Sequence, residues 1–226
     1  MRGLVCGAAC AAGIAFAPIA SADDAETWSG LRIGALGTYL SSEFDVLNNP
    51  ATPTAEVDGA ILGASLGYDL QFSGVVLGVE GDMSWGNLNQ VLRDGNYLTY
   101  HTNLSEVSTL RLRAGLDTGD FLPFLTAGMI WTEVEAGAIC PSGAAFGVCA
   151  VTGPFSAFGT ETLDGWVYGI GGEYRVASSW SIKGEVLWTS FDEETTQATW
   201  PVVGTFPIVS EQSTDPIVRM GINLRL

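Results

Sequence analysis

Two carboxylates stand two residues apart in an otherwise apolar stretch, VVLGVEGDMSWG at residues 75–86. Successive side chains of a β-strand point to opposite faces, so Glu80 and Asp82 share one face of a predicted strand and the other face is apolar. A buried carboxylate is tolerated only beside a cation or with hydrogen-bond partners. The pair therefore indicates either an ion path or an enclosed compartment that also contains basic side chains.

A hydrolytic site is a second chemistry that the residue types allow. Hydrolases and acyltransferases can place a histidine beside a serine and a carboxylate, and His101 is the single histidine of the chain. Ser105 and Glu106 are close to it in sequence, but no strand pattern places the three on one face. We therefore expect a solvated loop histidine and a protein that is not an enzyme.

We expect neither a metal ion nor a cofactor. The acidic run at residues 192–194 offers carboxylate oxygens, which suit hard cations, but its spacing matches no calcium-binding loop and favours a solvated run. The glycine-rich stretch GIGGE at residues 169–173 lies inside a predicted strand and precedes no helix. It is therefore not a dinucleotide-binding motif.

The first 22 residues have the features of a secretory signal. A basic start at Arg2 precedes an apolar run, and the sequence ASA at residues 20–22 fits a cleavage site. We therefore expect residues 1–22 to be removed and residues 23–226 to form one exported domain.

Two cysteines, Cys140 and Cys149, remain after removal of the signal. An exported protein folds in an oxidising compartment, so we predict a disulfide between them. Closing this loop of about ten residues is worth roughly 2–3 kcal/mol in the chain-entropy model.

The charge of the chain excludes one class of partner. Nine Lys and Arg residues accompany 25 Asp and Glu residues, with a formal net charge of −16. Such a chain cannot neutralise a row of phosphates, so no nucleic acid is expected to bind. The mean hydropathy is nevertheless positive, at +0.27. No mature segment reaches the roughly 18 continuous apolar residues of a membrane helix, so entry into a membrane requires strands.

Period-two alternation runs through the whole mature chain and predicts eight strands. Their spans are 28–41, 59–71, 75–86, 105–117, 123–133, 163–176, 180–190 and 216–226. Short turns follow the second, fourth and sixth strands, whereas the other connections are long, at 42–58, 87–104, 134–162 and 191–215. This alternation is typical of bacterial outer-membrane barrels. We predict an all-β, eight-stranded antiparallel up-and-down transmembrane barrel with short periplasmic turns and long extracellular loops.

All seven basic side chains of the predicted strands lie on the polar face of their strand, and five carboxylates lie there with them. A charge on the lipid face near the bilayer midplane costs about 2–4 kcal/mol, so we assign the charged face to the lumen. A soluble lipocalin-like barrel, with its apolar face inside, is the alternative. The predicted lumen charges are Arg32, Asp69, Glu80, Asp82, Arg111, Arg113, Glu173, Arg175, Lys183, Glu185, Arg219 and Arg225.

Aromatic residues favour the membrane interpretation because they fall near the strand ends. Trp and Tyr concentrate at the two membrane interfaces, whereas a soluble core would scatter them along the strands. The predicted belt near the long loops is Tyr39, Trp85, Trp131, Trp166 and Trp188. The predicted belt near the short turns is Trp28, Tyr68, Phe124, Tyr174 and Trp180.

Four stretches resemble a known family. They are WSGLRIGALGTY (28–39), LRLRAGLDTGDFLPFLTAG (110–128), GWVYGIGGEYRVASSWSIKGEVLW (165–188) and VRMGINLRL (218–226). They are similar to the opening strand, two hairpins and the closing strand of small proteobacterial outer-membrane barrels of the OmpA-like, opacity-type surface-antigen family, often named "porin family". The resemblance implies the fold, the outer membrane and insertion by the barrel-assembly machinery, although Leu226 replaces the usual aromatic C-terminal residue.

Eight strands enclose a lumen that side chains fill, so we predict ion pairs inside the barrel and not a wide pore. Counting back from the turn at residues 177–179, Glu173 faces Lys183 directly, and we predict a salt bridge between them. The alternative is an ion path or gate lined by Arg111, Arg113, Glu80 and Asp82.

The sequence thus predicts a monomeric outer-membrane protein with a structural or surface-interaction role: envelope integrity, with loops that act as adhesin, antigen or ligand platform. Its expected partners are outer-membrane lipid and lipopolysaccharide, the barrel-assembly machinery and an extracellular ligand or host molecule. The alternatives are a narrow porin-like channel for ions or small solutes and, as the weakest, an outer-membrane lipid hydrolase. Apolar residues in the loops 134–162 and 191–215 fit either a binding surface or strand extensions that pack on each other.

Overall fold

The structure is a computed structural model that describes residues 27–46, 55–93, 99–144, 148–191, 194–200, 204–214 and 216–226. The predicted signal at 1–22 lies outside these residues, as do 23–26 and Asp192 and Glu193 of the acidic run. The strands are β1 Gly30–Val46, β2 Ala55–Phe72, β3 Val75–Arg93, β4 Thr99–Leu116, β5 Phe121–Cys140, β6 Phe155–Ala177, β7 Trp180–Phe191, β8 Glu194–Trp200, β9 Gly204–Thr214 and β10 Ile217–Arg225. One short helix, α1, spans Val148–Thr152.

All ten strands belong to one antiparallel sheet. Strands β1 to β7 pair in sequence order, and β10 pairs with both β7 and β1, so the ladder returns to its start and closes a ring. Strands β8 and β9 form a hairpin that joins the sheet through pairing of β9 with β1. The predicted count of eight strands is therefore corrected to ten, because segment 191–215, predicted as a loop, contains a hairpin.

The connections alternate in length as the sequence predicts. Phe72 pairs with Val75, so β2 and β3 are joined by the two-residue turn Ser73–Gly74. Both turn residues have positive φ, 48° and 89°, which matches the twist that two-residue hairpins require. Ala177 likewise pairs with Trp180. We call the end of the barrel with these turns the turn end and the opposite end the loop end.

Most strands are longer than predicted, and most of the excess lies at the loop end. Strand β6 begins at Phe155 and β5 ends at Cys140, so most of the predicted loop 134–162 is hairpin. Of the two alternatives for this loop, the structure contains strand extensions. Beyond the bilayer, both faces of a hairpin meet the same medium, so apolar and polar residues no longer alternate along the strand. The main-chain hydrogen bonds between the strands do not need this alternation, and pairing continues.

The ring does not continue to the tips of these hairpins. The last pair between β2 and β3 at the loop end is Leu62–Trp85, and the last pair between β6 and β7 is Gly165–Phe191. Above these pairs the sheet separates into two parts: sheet A, formed by β3 to β6, and sheet B, formed by β2, β1, β9 and β8.

The apolar face of each ring strand points outward. The exposed fractions of Leu62, Leu112 and Met220 are 75%, 70% and 73%, whereas that of Arg111 is 1%. A water-soluble barrel would bury the leucines and expose the arginine, so the surface is that of a strand barrel in lipid. In the described segments, no helix combines the length and apolar character needed to cross a membrane.

Candidate functional site

The centre of the lumen contains a network of buried ion pairs. Its lower part, near the turn end, joins Asp69 and Glu173 to Arg32, Arg113 and Arg225, with distances of 2.8–3.7 Å across the pairs. Its upper part joins the carboxylates of Glu80, Asp82 and Glu185 to Arg111, Lys183 and Arg219. Arg32 connects the two parts because its Nη2 lies 3.0 Å from Glu80 Oε2.

Arg111 is the most connected cation of the upper part. Its Nη2 atom lies 2.7 Å from Glu80 Oε1 and 2.9 Å from Asp82 Oδ2, and its Nη1 lies 3.0 Å from Glu185 Oε2. These carboxylates come from β3 and β7, so a single guanidinium from β4 spans the lumen. The two carboxylates of the stretch VVLGVEGDMSWG therefore meet basic side chains in an enclosed compartment.

The predicted bridge between Glu173 and Lys183 is wrong. The register is as predicted, because Glu173 and Lys183 are Cα partners in the β6–β7 ladder. The Lys183 Nζ atom instead lies 2.6 Å from Glu80 Oε1, across the lumen. The Glu173 carboxylate is occupied by guanidinium groups, with Arg113 Nη2 at 2.8 Å. Since the lumen is narrow, a long side chain reaches the opposite wall and is not confined to its ladder partner.

Neutral polar side chains complete the network. Alternation placed them on the lumen face, but no sequence pattern indicated their partners. Thr109 Oγ1 donates to Asp82 Oδ2 and Ser181 Oγ donates to Glu173 Oε1 at 2.6 Å. Asn223 Nδ2 donates to the same Glu173 oxygen at 3.1 Å. These bonds offset part of the cost of removing the carboxylates from water.

A ring of apolar side chains, which we call the apolar ring, lies between the network and the loop end. All eight strands of the closed ladder contribute to it, and its members are almost fully buried. They are Leu40, Ile61, Leu88, Leu104, Val107, Ile130, Val167, Leu187 and Ile217. Sequence reasoning missed this ring, although the polar face of each strand becomes apolar towards its loop end. Its members pack together as one cluster of buried side chains.

The turn end is closed by Trp28, which was predicted to lie in an aromatic belt. The structure corrects this: Trp28 is 0% exposed and packs with Val76 and Leu122 inside the barrel. Its Nε1 donates to Asp117 Oδ1 and to the Gly119 carbonyl oxygen, both at 3.1 Å. The guanidinium carbons of Arg175 and Arg225 lie 4.3 and 4.7 Å from its ring centroid. These hydrogen bonds and cation contacts favour the lumen over the membrane interface for the Trp28 indole.

Phe124 is the second correction among the aromatic residues. It is 5% exposed, and the guanidinium carbon of Arg113 lies 4.4 Å from its ring centroid. Its position on β5 has lumen parity, because Leu125 on the opposite face is 63% exposed. The face of the Phe124 ring therefore gives the Arg113 guanidinium a favourable contact in addition to its carboxylate partners.

The remaining predicted belt residues point outward, because they alternate along their strands with buried lumen residues. Phe72 and Phe121, which the sequence analysis did not include, are also exposed, at 58% and 45%, beside the short turns. The exposed belt residues are Tyr39, Trp85, Trp166, Tyr174 and Trp180, and the half-buried ones are Tyr68, Trp131 and Trp188.

The residues considered for hydrolysis do not form a catalytic group. Ser105 Oγ donates to Glu133 Oε1 at 3.1 Å, and the ring of His101 lies 6.0 Å from the ring of Phe158. Neither contact supplies the histidine–serine hydrogen bond that activates a nucleophile. Among the residues with described positions, no three His, Cys, Asp or Glu side chains are placed to hold a metal ion.

The loop end carries the disulfide between Cys140 and Cys149, whose Cα atoms are 5.3 Å apart. Cys140 ends β5 and Cys149 lies in α1, so the bond ties the helix to the tip of the β5–β6 hairpin. Both cysteines are 2% exposed and pack with Tyr100, Ala138 and Phe155.

Comparison with known proteins agrees with this architecture. The family model of the outer membrane protein beta-barrel domain matches residues 6–206. The chain belongs to this family.

Two relatives of this outer-membrane β-barrel protein are named as outer-membrane proteins. They are the 31 kDa outer-membrane immunogenic proteins of Brucella melitensis biotype 1 and Brucella suis biovar 1. The chain is 26% identical to each over 188 residues, which cover 76% of this chain and 75% of each relative. The structure of the outer membrane protein OprG from Pseudomonas aeruginosa is similar, with a TM-score of 0.57 and 19% identity over 90% of this chain and 99% of that chain. The predicted location in the outer membrane is confirmed.

Proposed function

We propose that this outer-membrane β-barrel protein is a closed barrel with a structural and surface-interaction role. The membrane-spanning part is the ring of eight strands, β1 to β7 and β10. The short turns and the termini face the periplasm, and the long hairpins extend outside the cell. The protein functions as a monomer, after residues 1–22 are removed and the barrel-assembly machinery has inserted it among phospholipid and lipopolysaccharide.

The observation that carries this proposal is the apolar ring. A constriction lined only by apolar side chains expels water, and an ion then loses its hydration without replacement. Side chains such as Val167 and Leu187 are 1% and 0% exposed, so they touch neighbours on all sides. A charged lumen alone would favour a narrow channel, but the charges lie between this ring and Trp28.

The charge network supports a structural role in a second way. Each carboxylate of the network lies within 4 Å of at least two cationic side chains. Breaking a buried pair by removing one partner costs about 3–5 kcal/mol. A permeant ion would have to compete with these contacts, whereas a permanent network holds the strands in register.

A non-enzymatic role is part of the proposal. Its support is the local geometry of β4, where Ser105 bonds to Glu133 and not to His101. The check is hydrolysis of phospholipid and lipid A by the refolded protein. Activity that disappears in a His101→Ala variant would assign the protein to the enzymes instead.

Planar-bilayer recording of the refolded chain tests the closed barrel. We expect no stepwise conductance from the native protein and conducting events from a Val167→Ser/Leu187→Ser variant, because hydroxyls let water into the apolar ring. A Leu112→Ser/Met220→Ser variant, changed only on the outward face, is the matched control and should not conduct. Steady conductance of the native protein would instead establish the channel.

Labelling of whole cells tests the orientation. Val151, in α1, is 82% exposed, and Ser178 lies in the β6–β7 turn at the opposite end. A membrane-impermeant maleimide should label a Val151→Cys variant in intact cells and a Ser178→Cys variant only after the outer membrane is opened. The reverse result would invert the barrel.

A further inference from the structure

Sheet A has an unpaired edge at the loop end. Strand β6 pairs with β5 up to the hairpin tip, but its pairing with β7 ends at Gly165. The segment 156–164 therefore has one ladder partner instead of two along nine residues, as far as the described strands extend. In an antiparallel ladder alternate residues direct both main-chain groups away from the partner, so about half of these residues present N–H and C=O groups to the gap.

Strand β8 forms the facing edge, in sheet B. It pairs with β9 over Glu194–Trp200, and its other side has no ladder partner among the strands that the structure describes. Since β7 runs upward into β8 while β6 runs downward, the two edges are antiparallel and border one gap. At the base of the second gap, between β2 and β3, the Ile61 side chain occupies the space that a side chain at Gly86 would need.

The β6 edge lacks three of the devices that protect an exposed strand from pairing, and the charges that it does carry, Glu161 and Asp164, are both acidic. Natural edges carry lysine, proline or bulges that prevent another strand from pairing. The segment 156–164, SAFGTETLD, contains neither lysine nor proline, and its ladder to β5 has no register shift. Ser156, Phe158, Thr160 and Thr162 are exposed along it. Such an edge is a template for strand addition.

The charge around the gap selects the occupant. Within the spans 42–61, 86–106, 132–166 and 190–214 at the loop end, the residues that the structure describes include eleven Asp and Glu, and Arg93 is their single Lys or Arg. Complementary potentials accelerate association and exclude partners of like charge. A second copy of this chain would bring the same negative surface and be repelled, whereas a basic segment would be attracted.

We propose that the β6 edge, segment 156–164, binds a cationic polypeptide segment that adds to sheet A as an extended strand. Main-chain hydrogen bonds to β6 supply the docking, and the surrounding carboxylates select basic side chains. The inference deepens the surface-interaction role and rests on it for the exposure of the loop end outside the cell.

Peptide binding to the full refolded chain in neutral detergent tests the proposal. The probe is a fluorescent ten-residue peptide of alternating Thr and Lys, and its controls are the Thr–Glu peptide and a Thr–Lys peptide with alternate main-chain nitrogens methylated. We expect the Thr–Lys peptide to bind, the methylated peptide to bind at least tenfold more weakly, and the Thr–Glu peptide not to bind. Equal affinity of the methylated and unmethylated peptides would overturn strand addition, and no binding of the Thr–Lys peptide would overturn the proposal.

Variants of the chain locate the site. Thr160→Pro and Glu161→Pro are adjacent, so one removes an N–H that faces the gap and the other removes one that faces β5. We expect at least one of them to lower the affinity tenfold while the heat-modifiable gel mobility of the folded barrel is retained. Asp164→Asn should weaken binding two- to fivefold, whereas Asp120→Asn, in a turn at the opposite end, should have no effect. Equal affinities in all four variants would place the peptide elsewhere and overturn the assignment.

Self-association provides the last arm. We expect the detergent-solubilised protein to remain a monomer over the concentrations used for binding. A dimer that dissociates in the proline variants would show that the β6 edge binds a second copy of the chain, and it would overturn the cationic segment as the occupant. Because these measurements use no membrane potential and no cells, their failure leaves the conductance and labelling results unaffected, and the two proposals fail separately.

Discussion

The Lys183 Nζ atom lies 2.6 Å from Glu80 Oε1, although Glu173 is the residue directly opposite Lys183 in the β6–β7 ladder. Lys183 and Glu80 belong to β7 and β3, which do not pair with each other. The contact therefore crosses the lumen and connects two walls of the barrel that the hydrogen-bonded ladders do not join directly.

Removal of the Lys183 charge should destabilise the barrel. We expect Lys183→Met to lower the free energy of unfolding by about 3 kcal/mol, the low end for breaking a buried pair, because Glu80 retains Arg32 and Arg111. Urea unfolding in lipid vesicles measures the change.

A double-mutant cycle identifies the true partner of Lys183. Coupling of Lys183→Met with Glu80→Gln should exceed about 1 kcal/mol, whereas coupling with Glu173→Gln should stay below about 0.5 kcal/mol. A larger coupling to Glu173 would mean that the ladder partner, and not the residue across the lumen, holds the lysine.

The indole of Trp28 should be shielded from lipid. In variants that retain one tryptophan each, brominated lipids should quench the fluorescence of Trp166, which is 64% exposed, and leave that of Trp28 nearly unchanged. Strong quenching of Trp28 would restore it to the aromatic belt and remove it from the lumen.

Trp28 should also contribute to stability. Trp28→Ala removes a fully buried ring together with its hydrogen bonds and two cation contacts, so we expect a loss of about 3–5 kcal/mol. Trp180→Ala, on the outward face, is the comparison and should cost less. Equal losses in urea unfolding would argue against a closed turn end.

The cost of an outward charge should depend on its depth in the bilayer. Leu112 and Leu62 are both exposed, but Leu62 pairs with Trp85 at the loop end of the ring, whereas Leu112 lies between Val79 and Ala127, near the middle of the ring. We expect Leu112→Arg to cost about 2–4 kcal/mol and Leu62→Arg about 0–1 kcal/mol. The same urea unfolding in vesicles compares them, and equal costs would shift the membrane band along the barrel.

The disulfide should act locally. Reduction, or the Cys140→Ser/Cys149→Ser variant, removes about 2–3 kcal/mol in the chain-entropy model, and we expect that loss to appear as faster proteolysis within residues 141–154. The heat-modifiable mobility of the barrel should not change. A shift in global unfolding of the same size would show that the hairpin tip unfolds together with the ring.

Local sequence patterns were sufficient for the strand faces and for the position of the short turns. Alternation within 180–190 already separates Lys183 and Glu185 from Ile182 and Val186, because period two assigns a face without knowledge of neighbours. A second rule, that an aromatic residue near a strand end belongs to an interface belt, failed for Trp28 and Phe124. Alternation places Trp28 on the face of Arg32 and Phe124 opposite Leu125, and the contacts with Arg225 and Arg113 show that both rings lie in the lumen.

By itself the sequence determined that the chain is all-β, that the basic side chains of its strands share the polar side of each strand and that its connections alternate between short and long. Those properties are local, since residue spacing and turn composition encode them. The tertiary structure alone decided that β8 and β9 form an added hairpin, that an apolar ring crosses the lumen, and which carboxylate holds Lys183. These features depend on which strands meet when the ladder closes between β1 and β10. Residues that contact each other across the lumen are far apart in sequence, and no local pattern indicates which of them pair.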